Sequence, residues 1–152
     1  MFKKLKTNKK FIPCTVSNDD ELYNNGIFVF NISKMIKFLN QATEEYNLTT
    51  ISVDDFTNTF SCINESHVDS VDINKPVILA EISPGQYTLI DGHHRLHKAK
   101  RAGAKNLNAF KIDHTQHIRF LTELKGYTAY IEYWNSKIKQ ATSREGGIYA
   151  SR

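Results

Sequence analysis

The chain has 152 residues, 40% of them hydrophobic, 11% aromatic and 24% charged, which fits one domain with a real core and excludes a disordered chain. No run approaches the roughly 20 apolar residues of a membrane helix, and Cys14 and Cys62 form neither a disulfide framework nor a metal knuckle. The net charge of +4 is unevenly spread, with five lysines in residues 1–10, a net −9 over residues 11–91 and +8 over residues 92–152. Such asymmetry marks an anion-binding surface, or else two halves that neutralise each other.

Residues 1–10 read as a basic, flexible start with no apolar stretch of the kind that follows in a secretory signal. A short strand is expected from Phe11 to Val16, confined to an edge by Pro13. Ile27–Phe30 is a compact apolar run suited to a buried strand or to a turn leading into a helix. Met35, Ile36, Leu39, Ala42 and Tyr46 recur at helical steps, which predicts a helix over 33–46. Asn31 or Ser33 can cap it and Asn47 can close it. Thr50–Val53 reads as a strand, and Asp54, Asp55 and Phe56 as the opening of a short helix. Residues 60–72 show no period and read as irregular.

After Pro76, Val77–Ile82 and Tyr87–Ile90 predict two strands around a Pro84-Gly85 turn. The second ends at Asp91-Gly92, where a helical pattern begins and runs through Leu96, Ala99 and Ala102 to a Gly103 C-cap. Asn106–Ile112 reads as a strand. Ile118, Phe120, Leu121 and Leu124 then predict one helix, and Tyr127, Tyr130, Ile131, Trp134 and Ile138 another. The expected architecture is α+β (α/β): a domain over 11–112 with a mixed sheet and flanking helices, a helical extension over 113–141, and a flexible tail over 142–152. Cys14 and Cys62 are expected as buried small hydrophobes.

The stretch YTLIDGHHRLHKAKRAG, residues 87–103, concentrates the reactive groups. Gly92 lets the backbone turn sharply and lets a ligand approach. The helix beginning there offers unsatisfied N–H groups and a positive dipole end to phosphate. Arg95, in its first turn, can clasp a phosphate bidentately, and His93 and His94 add donors or proton-transfer groups. Asp91 can hold Mg²⁺ or accept a proton from an attacking hydroxyl.

The sequence LIDGHHRLHKAKRAGAKNLNAFKI, preceded by KPVILAEISPGQY, resembles the core of the ParB/sulfiredoxin superfamily over residues 73–112. The resemblance implies an apolar strand, a hairpin, a Gly-x-x-Arg motif at a helix start, a short helix and a closing strand. The cysteine of sulfiredoxins is replaced by His93, and the Gly-Glu-Arg-Arg of CTP-binding ParB proteins by Gly92-His93-His94-Arg95. Asp91-Gly92-His93-x-Arg95 matches the Asp-Gly-His-x-Arg of the free serine kinases. That match implies catalysis by Asp91 and a nucleotide held by Gly92, His93 and Arg95, while Gly92, His94 and Arg95 match the phosphate site of sulfiredoxins. Together they lead to the expectation of Asp91 and His93 near the reacting centre, Gly92, His94 and Arg95 on phosphate, and ATP, ADP or CTP with Mg²⁺ as cofactor. The kinases also imply a further catalytic Glu, for which Glu21 and Glu65 are the candidates.

Three other readings stand beside it. Asp91–Arg95 can be a structural turn with a salt-bridging Arg. His93, His97, His114 and His117 can hold a transition metal, although a two-histidine step without a neighbouring Glu is a poor signature and no metal is expected. Lys98, Lys100, Arg101, Lys105 and Lys111 can form a solvated face or attract a polyanion, which would make the chain a ParB-like DNA-binding protein or nuclease. The tyrosines near residue 130 read as packing residues covering the core or forming a homo-oligomer contact. The expectation is a nucleotide-dependent phosphotransferase or nucleotide hydrolase, cytoplasmic and without a membrane partner.

Overall fold

A computed structural model describes residues 2–41, 48–56 and 71–145. In chain order the elements are β1 (Leu22–Asn24), β2 (Val29–Asn31), α1 (Ile32–Gln41), β3 (Leu48–Ser52) and a 3-10 turn (Val53–Phe56). There follow β4 (Val77–Ser83), β5 (Gln86–Asp91), α2 (His93–Arg101), β6 (Asn106–Ile112), α3 (His114–His117), a second 3-10 turn (Ile118–Phe120) and α4 (Leu124–Glu145). The fold is α+β, with a mixed sheet and a C-terminal helix, as the sequence predicts. Among the described residues no helix is long and apolar enough to cross a membrane.

The apolar pattern decides strand position. In β4 every residue from Val77 to Glu81 is buried, as a strand covered on both faces requires. In β6, Asn108 and Lys111 are exposed while Leu107, Ala109, Phe110 and Ile112 are buried. The sheet order is β3-β6-β4-β5. β4 runs parallel to β6, with Val77 opposite Ala109 and Ala80 opposite Ile112, and β3 runs antiparallel to β6, with Leu48 opposite Phe110 and Ser52 opposite Asn106.

The chain forms two units. One comprises Met1–Ile36, Glu81–Tyr87 and Asp113–Arg152, and the other Lys37–Ala80 and Thr88–Ile112. The first packs aromatic rings edge to face: Phe28 against Phe30 at 5.5 Å and against Tyr130 at 5.4 Å between ring centroids. Tyr127, Tyr130, Ile131 and Trp134 of α4 are buried, so they are packing residues within the chain.

The N-terminal segment, expected to be flexible, is tied to α4. Phe2 meets Trp134 edge-on, and the Trp134 indole donates to the Lys3 carbonyl at 3.0 Å. Asn135 accepts from the Leu5 N–H at 2.7 Å and donates to the Leu5 carbonyl at 2.9 Å. Asn8 donates its N–H to the Tyr127 hydroxyl at 2.7 Å, and Phe11 stacks on the Tyr127 ring at 3.8 Å. Apolar side chains spaced among the lysines, and polar side chains on α4 that satisfy its backbone, hold the segment in place.

Other expectations need correction. Phe11–Val16 is not a strand: its backbone-to-backbone bonds to the rest of the chain are a turn bond from Phe11 N–H to the Asn8 carbonyl at 3.0 Å and one from Cys14 N–H to the Leu121 carbonyl at 2.8 Å, next to a proline that has no donor. Cys14 is half-buried, and Cys62 lies outside the described residues. The helix expected over Ile118–Leu124 is replaced by α3, a 3-10 turn and an extended Leu121 that bridges Phe30. Asp113 causes this shift through a capping box, accepting from Thr115 and Gln116 N–H groups while the Gln116 side chain accepts from the Asp113 N–H at 2.8 Å. It starts a helical turn earlier than the apolar period indicates. At the other end α4 continues to Glu145, so residues 142–145 of the expected tail are helical. Asn31 does cap α1, accepting from the Lys34 N–H at 3.0 Å, and α1 is described to Gln41. The last part of the predicted helix and most of the irregular stretch 60–72 lie outside the described residues.

Candidate functional site

The expected site residues are contiguous at the junction of β5 and α2, in the second unit. Gly92 is the N-cap of α2 with φ 105° and ψ 22°, in the left-handed region. A Cβ there would lie 2.8 Å from Val77 Cβ and 3.2 Å from Val77 Cα, and closer still to Cγ1. The position therefore excludes a side chain twice, by backbone conformation and by its approach to β4. The α2 start has no side-chain cap and no acidic residue in its first turn, and the carboxylate of Asp91, just before the Gly92 N-cap, does not cap its N–H groups.

Arg95 does not reach outward. It donates through Nη2 to Asp91 Oδ2 at 2.7 Å and through Nη1 to the Pro76 carbonyl at 3.2 Å. The pair joins the end of β5 to the first turn of α2, and its Asp91 carboxylate is buried. Burial holds the His93 imidazole below its ordinary pKa and its neighbour His94 adds to this, while Asp91 opposes it. His93 is thus neutral near pH 7 and can accept a proton. His94 is half-buried at the second helical position.

Two members of the basic cluster have structural work. Lys98 donates to the Val71 carbonyl at 2.7 Å and Lys100 to the Phe56 carbonyl at 2.9 Å. Among the described residues, no three His, Cys, Asp or Glu side chains group as a metal site. The residues at the turn fit a phosphate, which an uncapped helix start accepts. They do not fit Mg²⁺ held at Asp91, because the only carboxylate of the turn is committed to Arg95. Of the candidates for a further catalytic Glu, Glu21 lies in the first unit, where its backbone carbonyl accepts from Ile32 N–H at 2.9 Å. Glu65 lies outside the described residues.

Sequence reasoning missed a second polar group, which lies in the first unit around Glu81. Glu81 Oε1 accepts from the His114 Nδ1 at 2.9 Å and from the His114 N–H at 3.2 Å, and Oε2 from the Gly85 N–H at 3.0 Å. Burial favours its neutral form, but the donors on His114 and Gly85 outweigh that and hold its pKa below the usual value. The Glu81 carbonyl accepts from His117 Nε2 at 2.6 Å and from the Tyr130 hydroxyl at 2.9 Å. A charged residue inside the apolar run VILAEIS was the available signal, since a buried carboxylate needs donors.

His117 is fully buried, and burial pushes its pKa from 6.5 down to about 4, with the Glu81 carbonyl opposing. Its Nε2–H is spent on Glu81 and its Nδ1 has no partner among the described residues, so the neutral ring is the native form. Below pH 6.5 the unfolded chain takes up a proton that the folded chain refuses. Stability is full above pH 6.5 and falls as the pH drops toward about 4, by about 3 kcal/mol from this residue. Glu81 acts in the same direction at the acid end. Urea unfolding at stepped pH checks this, together with an NMR titration of His117. A His117 midpoint near 6.5 or a flat stability profile down to pH 5 would refute it.

The fold is α+β, with a strand–glycine–helix turn where β5 meets α2. Comparison with protein-family models, curated proteins and solved structures returned no match.

Proposed function

We propose that the chain binds nucleotide phosphate in the manner of the ParB/sulfiredoxin superfamily and acts as a nucleotide-dependent phosphotransferase or nucleotide hydrolase. One observation carries the reading: α2 opens uncapped, without an acidic first turn, directly after left-handed Gly92. A terminal phosphate against the N–H groups of that turn is stabilised by the helix dipole, with His94 as a side-chain donor. His93, kept neutral by burial, accepts the proton of the attacking hydroxyl or water. Asp91 and Arg95 serve as a pair that fixes the turn, so Arg95 is a positioning residue in this reading. The DNA-binding alternative has less to rest on, because Lys98 and Lys100 are occupied by backbone carbonyls.

Thermal-shift measurements with ATP, ADP and CTP, each with and without Mg²⁺, test the proposal. A nucleotide at about 100 times its Kd adds about 2.7 kcal/mol, a rise of several degrees for a chain of this size. His94→Ala is expected to reduce that rise. No rise with any of the three at millimolar concentration ends the reading.

A further inference from the structure

Three segments of the first unit meet at the start of α4. Residues 8–14 are tied there by the Asn8 N–H on the Tyr127 hydroxyl, by Phe11 stacked on Tyr127, and by the Cys14 N–H on the Leu121 carbonyl. Residues 27–29 are tied there by the Thr122 N–H on the Val29 carbonyl at 3.0 Å, and Gly126 leaves room for Phe28, whose Cβ would lie 3.2 Å from an added side chain. Each segment exposes a large aliphatic side chain: Ile12 is 81% exposed, Ile27 51% and Leu124 58%. Ile27 sits in a loop fixed by its own side chains, with Asn25 Oδ1 accepting from Ile27 N–H at 2.9 Å and Phe28 N–H at 3.0 Å. Its exposure is therefore built into the fold.

Lysines stand close in sequence to Ile12 and Leu124. Lys9 and Lys10 shortly before Ile12 and Lys125 just after Leu124 are exposed, and so are Lys3, Lys4 and Lys6 further along the docked N-terminal segment. None of these ammonium groups has a carboxylate partner among the described residues. Glu123 is the one acid within the three segments.

We propose that this face docks the chain peripherally on an anionic lipid bilayer. A bilayer interface uses both parts of the face, since acyl chains receive the aliphatic side chains and acidic headgroups attract the lysines. The phosphates of a nucleic acid would engage only the lysines. Phe2 and Phe11 are already packed on Trp134 and Tyr127, so the segment offers no ring for base stacking. Peripheral docking needs no spanning helix and does not depend on the α2 phosphate site.

Co-sedimentation with phosphatidylcholine vesicles, with and without phosphatidylserine, tests this, with random-sequence duplex DNA measured in parallel. Binding is expected only to the phosphatidylserine vesicles, weakening as salt rises. Lys9→Glu with Lys10→Glu should lower partitioning at least about 25-fold. Ile12→Asp should lower it about tenfold with an unchanged melting temperature. Lys105→Glu, in the other unit, should leave it unchanged. The proposal is overturned if anionic vesicles are not bound, or if these variants bind them like the parent. Duplex capture with Ile12→Asp silent would also overturn it, reassigning the face to nucleic acid.

Discussion

Gly92→Ala is expected to lower stability by about 4 kcal/mol and the melting temperature by about ten degrees. Two costs add. Alanine at a φ of 105° is strained by about 1 to 2 kcal/mol, and its Cβ would be driven against Val77 of β4. The second cost resists relief, because the close atoms include Val77 Cβ at 2.8 Å and the backbone Cα at 3.2 Å as well as a rotatable methyl. Gly103 separates the two terms. It has φ 72° and nothing within 4 Å of the place a Cβ would occupy, so Gly103→Ala reports the conformational cost alone, about 1 kcal/mol. Denaturant unfolding of both variants measures the difference, which is the close approach of α2's first turn to β4. Equal losses at the two glycines would show that the approach to Val77 carries no energy.

The two glycines also show what the sequence made legible. Gly103 reads as a helix stop, and it is one: its N–H donates to the Lys100 carbonyl at 3.1 Å and the Ala104 N–H to the Ala99 carbonyl at 2.9 Å, closing a Schellman motif after the Ala102 C-cap. Local chemistry of this kind, along with the β4 and β6 runs, is written in neighbouring residues. The candidate turn was legible for the same reason, since its five residues are consecutive. Contacts between distant segments were not. Nothing near Phe2 or Leu5 announces that Trp134 and Asn135, more than a hundred positions on, will hold them. Leu121 has the right spacing for a helix, yet its pairing with Phe30 makes it extended. Arg95 was legible as a cation at a helix start but not as one turned inward, because its partners are a side chain one turn back and the carbonyl of Pro76.

That inward turn predicts a large effect at Arg95. Arg95→Ala leaves the Asp91 carboxylate, whose side chain is 9% exposed, without the cation it faces at 2.7 Å. Removing one partner of such a pair costs about 3 kcal/mol or more, mostly the penalty of an uncompensated buried charge. Asp91→Asn in the same chain removes that charge, so the double variant should recover much of the loss, and a double-mutant cycle should return a coupling above about 1.5 kcal/mol. Arg95→Lys should fall between, keeping the charge but losing the planar fork that reaches Asp91 and Pro76 together. An arginine that served only to clasp phosphate would behave otherwise. Its removal would leave the empty protein about as stable as the parent and abolish the nucleotide-dependent rise in melting temperature, and the cycle with Asp91 would return a coupling near zero. Unfolding curves for the four proteins without nucleotide therefore decide whether Arg95 closes the turn from within or waits for an anion outside it.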